Sequence, residues 1–223
     1  MSSKLKFKII LINLIILLTF HPSGSYSQGV KAPPCINLNN TSTCPAFSQY
    51  SISSASQPSP PLTGAFFDTN FEWLYNAENI TIFDELIINY VNTQYIKWRY
   101  KDSTNSSNLE LCSPELALTY ARYTLTMVCA YLVQEPLSES SCNQNLSKEK
   151  LCKQTCMDHL ESLRKIAYSP DVCPIVNVDD IDEKFGNLTR WCENPQNTED
   201  SPENCISGEE NELENCGMCF EIR

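Results

Sequence analysis

The chain has 223 residues, with 27 acidic against 16 basic side chains and a net charge of −11. A surface of that sign repels phosphate backbones and offers no basic patch for counterion release, which excludes nucleic acid as a partner. Twelve cysteines beside only two histidines turn the expectation away from histidine-based catalysis and toward a fold stapled by sulfur.

Lys4, Lys6 and Lys8 precede an apolar run from Ile9 to Phe20, which reads as a secretory signal peptide too short to span a bilayer. Ser23, Ser25 and Ser27 supply the small residues of a cleavage site. Cleavage is expected after Ser27, leaving Gln28 first. Three lysines and no carboxylate depart with residues 1–27, so the charge becomes −14. The 196 residues left suffice for one domain, alone or with a small appendage. All the cysteines remain: Cys35, Cys44, Cys112, Cys129, Cys142, Cys152, Cys156, Cys173, Cys192, Cys205, Cys216 and Cys219. In an oxidising compartment they form up to six disulfides, each worth about 2–4 kcal/mol. Asn39, Asn40, Asn79, Asn105, Asn145 and Asn187 each begin an Asn-x-Ser/Thr acceptor for N-glycosylation, and an occupied acceptor faces solvent.

Residues 28–62 carry Cys35 and Cys44 and then a Ser/Pro-rich run, an extended segment pinned by two bridges followed by a loop. Thr81-x-x-Asp84 resembles a capping box and opens a helix over 82–98, with Leu86, Ile87, Tyr90, Val91 and Tyr95 at three- and four-residue spacing. A polar run, 101–108, ends it. Ser113-Pro114-Glu115 starts a second helix over 114–134, expected to be the most buried of the fold. A third helix begins after Ser147 and reaches Ala167, with Pro170 behind it. A short fourth, 179–190, places Ile181, Phe185 and Leu188 on one face after the acidic turn of Asp179, Asp180 and Asp182. From Cys192 onward the chain is polar and acidic, a small stapled appendage over 192–223. No stretch after residue 27 is long and apolar enough to cross a membrane, and the last twenty residues lack the tail of a lipid-anchor signal.

Candidate chemistry is sparse. His21 leaves with the signal peptide, so a nucleophile–histidine arrangement would rest on His159, which reads as an ordinary surface or boundary residue of the third helix. Cys216-Gly-Met-Cys219 has the spacing of a thiol–disulfide oxidoreductase, but Glu212, Glu214 and Glu221 around it disfavour a thiolate; a structural bridge is the plainer reading. Cys192, Cys205, Cys216 and Cys219 could be read as a zinc site, although secreted cysteines oxidise rather than coordinate. The Asp179, Asp180, Asp182 and Glu183 group lacks the glycine and the closing glutamate of a calcium loop and suits a helix N-terminus instead. No cofactor is implied. Phe66, Phe67, Phe71, Trp73 and Tyr75 are either exposed ligand contacts or, more simply, core rings.

Cys152-Lys-Gln-Thr-Cys156 puts two sulfurs on one face of a helix, ready to staple it to two other segments. With CSPEL (112–116), MVCAYLVQEP (127–136), Cys35, Cys44, Cys142 and Cys173, it resembles the Frizzled-type cysteine-rich domain. It also resembles that domain's fungal relative in the regulatory subunit of the stretch-activated calcium channel. A closer resemblance is to the ectodomain of fungal single-pass membrane proteins with a cytoplasmic Src-homology-3 domain. It rests on CINLNNTSTCPAF (35–47), FDEL (83–86), YARYT (120–124) and ENCISGEENELENCG (203–217), and runs over nearly the whole mature chain. Two features depart from Frizzled domains: the third helix carries one cysteine fewer, and Cys112 to Cys129 is a much longer spacing. The fungal family also continues past the NCG motif through more cysteines, a stalk and a membrane helix. Ending at Arg223 is expected of a secreted paralogue or of a fragment of a longer gene model.

The resemblance implies bridges Cys44–Cys129, Cys35–Cys142, Cys156–Cys173 and Cys152–Cys192, with Cys112, Cys205, Cys216 and Cys219 unassigned. It implies a mainly α, disulfide-rich, Frizzled-like fold of about four helices with long irregular connections, its domain spanning 28–191. The expected function is a non-enzymatic, extracellular ligand-binding or sensor-like module whose partner is a protein, glycan or lipid. The alternative is a secreted structural or effector protein acting at the cell wall or on a host.

Overall fold

The computed structural model describes residues 34–55, 71–95, 121–171 and 178–213, with backbone alone for residues 178–181, 183 and 184. Over these the chain is mainly helical, 58 % of them lying in helices, and eight cysteines form four disulfides.

The amino-terminal segment, expected to be extended and followed by a loop, forms a hairpin. Strands β1 (Cys35–Asn37) and β2 (Ser51–Ser53) pair antiparallel with Ile36 opposite Ile52. Alternation puts these two isoleucines on the core face and leaves Cys35 and Asn37 outside. Between the strands, Asn40 takes a left-handed φ of 67°, which asparagine tolerates, and a 3-10 turn at Pro45–Phe47 buries Phe47.

Helix α1 (Ile80–Tyr90) is capped by Asn79, whose Oδ1 accepts from the Ile82 N–H at 3.1 Å. The Thr81/Asp84 cap expected from the sequence is therefore displaced by two residues. Phe83, Ile87 and Tyr90 face inward, and a π-helical turn, Val91–Tyr95, continues the buried stripe to Tyr95. Residues 96–98, where the predicted helix ends, lie outside the described residues.

Helix α2 (Thr124–Gln134) is the buried axis, with every residue but Leu125 and Gln134 buried, as the sequence led one to expect. It starts later than predicted within the described residues. Tyr123 has a left-handed φ of 59° and stands outside the helix, and residues 114–120 are not described. Glu135 is extended, as a residue before proline must be, and its buried carboxylate accepts from the Leu137 N–H at 2.8 Å and the Ser138 N–H at 3.2 Å.

Residues 150–152, expected to be helical, form strand β3 (Lys150–Cys152). Helix α3 (Lys153–Ala167) follows and ends at Ala167 as the sequence predicts. Helix α4 (Val178–Glu193) runs three residues past its predicted end because Trp191 and Cys192 are buried along with Phe185 and Leu188, and it packs on α3. Strands β4 (Thr198–Glu199) and β5 (Cys205–Ile206) then flank β3 in parallel, with Leu151 opposite Thr198 on one side and Ile206 on the other. A last turn of helix, α5 (Gly208–Asn211), closes the described chain. The described residues, 34 onward, all fall in one unit. The described part of the segment after Cys192, expected to be an appendage, is thus built into the helical domain.

Candidate functional site

Three motifs distant in sequence meet in one interlock. Ser207 caps α5 reciprocally: its Oγ accepts from the Glu210 N–H at 3.2 Å, and Glu210 Oε2 accepts from the Ser207 N–H at 3.0 Å. Gly208 donates its N–H to Thr155 Oγ1 at 2.8 Å and lies flat on the Tyr123 ring, where an added Cβ would stand 2.5 Å from ring carbons. Asn211 Oδ1 accepts from the Ala46 N–H at 3.2 Å, and its Nδ2 donates to the Thr43 carbonyl at 3.2 Å. Glu212 Oε1 accepts from the Thr126 N–H at 2.7 Å and from its hydroxyl at 2.6 Å, capping α2 from another part of the chain. The Tyr123 side chain gives that helix no cap of its own.

Arg122 completes the interlock. Its guanidinium stands 4.4 Å from the Tyr123 ring centroid, bonds the Tyr123 hydroxyl, and pairs with Asp158 at 3.3 Å and Glu209 at 3.6 Å. Burial pushes the Tyr123 phenol up, and the Arg122 charge only partly opposes it. The stretches CPAF, ARYT and SGEENE thus form a structural clasp. The Ser-x-x-Glu signature at 207–210 could have announced it from sequence.

Beside the clasp lies an open groove of about 550 Å³ lined by Ala46, Ser147, Glu149, Glu203, Cys205 and Glu210 among others, with no lysine or arginine among the described residues of its wall. Glu149 Oε2 accepts from Gln49 Nε2 at 2.8 Å, and Glu203 projects into solvent. Such a wall suits cationic or hydroxyl-rich groups.

A second polar knot centres on Asp84. Its Oδ1 accepts from the Thr41 hydroxyl at 2.5 Å and the Thr43 hydroxyl at 2.6 Å, and its Oδ2 from the Ser42 N–H at 2.7 Å and hydroxyl at 2.8 Å. Burial alone would push this carboxyl up. The Ser42 N–H and the three hydroxyls outweigh it and hold the group below the usual carboxylate range. The residue read as a helix cap is an anchor for the hairpin loop.

Cys35 is joined to Cys142 and Cys44 to Cys129, the two pairs the resemblance implies. The other two implied pairs are not formed. Cys156 bonds Cys192 and Cys152 bonds Cys205. Cys156 sits one turn into α3 where α4 packs, whereas Cys152 at the helix start lies beside β5. Cys192 and Cys205 are consequently unavailable to zinc. Cys112, Cys173, Cys216 and Cys219 lie outside the described residues.

His159 is not a surface residue. It is fully buried on the inner arc of α3, its Nδ1 donating to the Arg122 carbonyl at 2.6 Å and its Nε2 paired with the Tyr95 hydroxyl at 2.9 Å. Of the aromatic candidates, Phe71 is buried and Trp73 stacks on Tyr90 at 5.4 Å, so both serve the core, while Tyr75 is 56 % exposed. Phe66 and Phe67 lie outside the described residues. Asn39, Asn40, Asn79 and Asn145 are exposed; Asn187 is half-buried with its amide oxygen accepting from Arg190, and Asn105 is not described. Asp182 accepts from the Tyr168 hydroxyl at 2.6 Å, and among the described residues no cluster of three metal-ligating side chains occurs. Nor is any described helix long and apolar enough to cross a membrane.

Comparison with protein-family models, with curated proteins and with solved structures finds no match to this chain.

Proposed function

We propose that this chain is a secreted, N-glycosylated and non-enzymatic recognition module of the Frizzled-like kind, built to present a rigid surface to an extracellular ligand. The observation that carries the reading is the bridge set. Four disulfides tie the described elements together, two of them in the pairing the resemblance implies, and no described cysteine is free. A closed imidazole at His159, bonded to a phenol and a backbone carbonyl, supports binding over catalysis. The concave surface beside the clasp favours a cationic or glycan ligand over a fatty acyl chain, because its glutamates would have to be desolvated against hydrocarbon.

The test is expression of the full chain in a eukaryotic secretory host. The expected product is exported, begins at Gln28, loses mass on endoglycosidase treatment, and binds cationic peptides or glycans on an array less well once Glu149 and Glu203 are changed to glutamine. A cytosolic product with free thiols contradicts the address. Binding indifferent to both substitutions contradicts the surface.

A further inference from the structure

The bridge between Cys152 and Cys205 occupies a different setting from the other described disulfides. Cys44, Cys129, Cys156 and Cys192 are all completely buried, so two bridges are closed to any reagent. Cys35 is exposed and Cys142 half-buried on the open hairpin side. Cys205 is also half-buried, but it lines the acidic groove. Its partner Cys152 is 6 % exposed and is the N-cap residue of the fifteen-residue helix α3, to which its own side chain gives no cap hydrogen bond.

We propose that Cys152–Cys205 is a redox latch on the clasp, opened selectively by cationic aminothiols. A thiolate entering the groove attacks Cys205 Sγ. A mixed disulfide forms there, and the electrons of the old S–S bond leave on Cys152 Sγ. That sulfur departs at a helix N-terminus, which stabilises a thiolate and makes it the better leaving group. A second equivalent of the same thiol attacks the mixed disulfide at its external sulfur and leaves as the oxidised dimer. Two thiols are thereby oxidised, and the two protein sulfurs, reduced, take up the two protons. Glu149, Glu203 and Glu210 decide which thiol arrives, since they repel a thiolate carrying a second negative charge and tolerate one balanced by an ammonium.

Opening has a defined consequence. Strand β5 is only two residues long and pairs with β3 alone among the described strands, so with the bridge opened the ties described for Ser207–Glu212 are non-covalent, its hydrogen bonds and the Arg122–Glu209 contact. The clasp then frays while α3 stays anchored through Cys156–Cys192.

The experiment treats the intact oxidised protein with cysteamine or with 2-mercaptoethanesulfonate at equal thiolate concentration. Differential alkylation and mass spectrometry follow each bridge, and Cys35–Cys142 serves as the internal reference. Cys152–Cys205 should open faster with cysteamine, relative to the reference, by on the order of tenfold at 10 mM salt, shrinking to within about twofold at 1 M. Glu149→Gln with Glu203→Gln should reduce the low-salt preference severalfold, and hydrogen exchange should accelerate over 207–212 but not over 156–167. Equal relative rates with the two thiols at low salt would overturn the proposal. So would opening no faster than that of the two buried bridges, or unchanged exchange over 207–212 in the singly opened protein.

Discussion

Asp84 gathers four donors from three consecutive residues of the hairpin loop, so one carboxylate serves all three of their hydroxyls. Asp84→Asn should cost about 1–2 kcal/mol in urea unfolding at pH 7, the modest figure reflecting a group that solvent still reaches. Because the folded carboxyl is held below its unfolded range, its stabilisation is present in full above the unfolded pKa. It is lost as pH falls through the folded value, so the difference between wild type and variant should begin to shrink below about pH 4, the unfolded range, and vanish only below the folded value. Gly208→Ala drives a methyl into the Tyr123 ring and should cost about 1–3 kcal/mol, read from the same urea midpoint; a variant as stable as wild type would remove Gly208 from the clasp. Sequence reasoning placed Asp84 on a helix but assigned it a local partner, since nothing in the Thr81-x-x-Asp84 pattern reports donors 41 to 43 positions upstream. His159 escaped for a like reason. Its helical position among Cys156, Leu160 and Leu163 marks the inner arc, yet the phenol and carbonyl that satisfy it come from other segments.

At the level of elements, long amphipathic helices were legible and short strands were not. Proline at 170 and the spacing of Leu160, Leu163 and Ile166 located the end of α3, because those signals are local. Strands β3, β4 and β5, of two or three residues each, have no periodicity to detect and exist through pairing across dozens of residues. The sequence predicts helix through residues 121–123, where the described chain is not helical: Tyr123 is left-handed and its ring packs on Gly208, a neighbour from a distant segment that no local signal reports. The core these helices build is testable with a pair of substitutions. Leu160→Ala, at a completely buried site on α3, should lose about 2–5 kcal/mol by urea denaturation. Leu213→Ala, at a site 87 % exposed, should stay within about 0.5 kcal/mol. Comparable losses at both sites would mean that α3 does not pack as described.

For the molecule as a whole, covalent ties decide which distant segments are neighbours. The Cys35–Cys142 and Cys44–Cys129 bridges span 107 and 85 residues, long loops whose closure most restricts the unfolded chain, at about 4–5 kcal/mol each in the chain-entropy model. The sequence announced a sulfur-stapled helical domain through its cysteine count. It could not announce how Cys152 and Cys156 divide their partners, because both sulfurs leave one helix face and only the paths of α4 and β5 separate them. That division carries the account: it places the carboxyl-terminal clasp inside the domain and sets Cys205 in the acidic groove. Non-reducing peptide mapping by mass spectrometry tests it most directly. The predicted result for the eight described cysteines is Cys35 linked with Cys142, Cys44 with Cys129, Cys152 with Cys205 and Cys156 with Cys192. Recovery of Cys152 linked to Cys192, of Cys156 linked to Cys173, or of free thiols at these eight positions would contradict it.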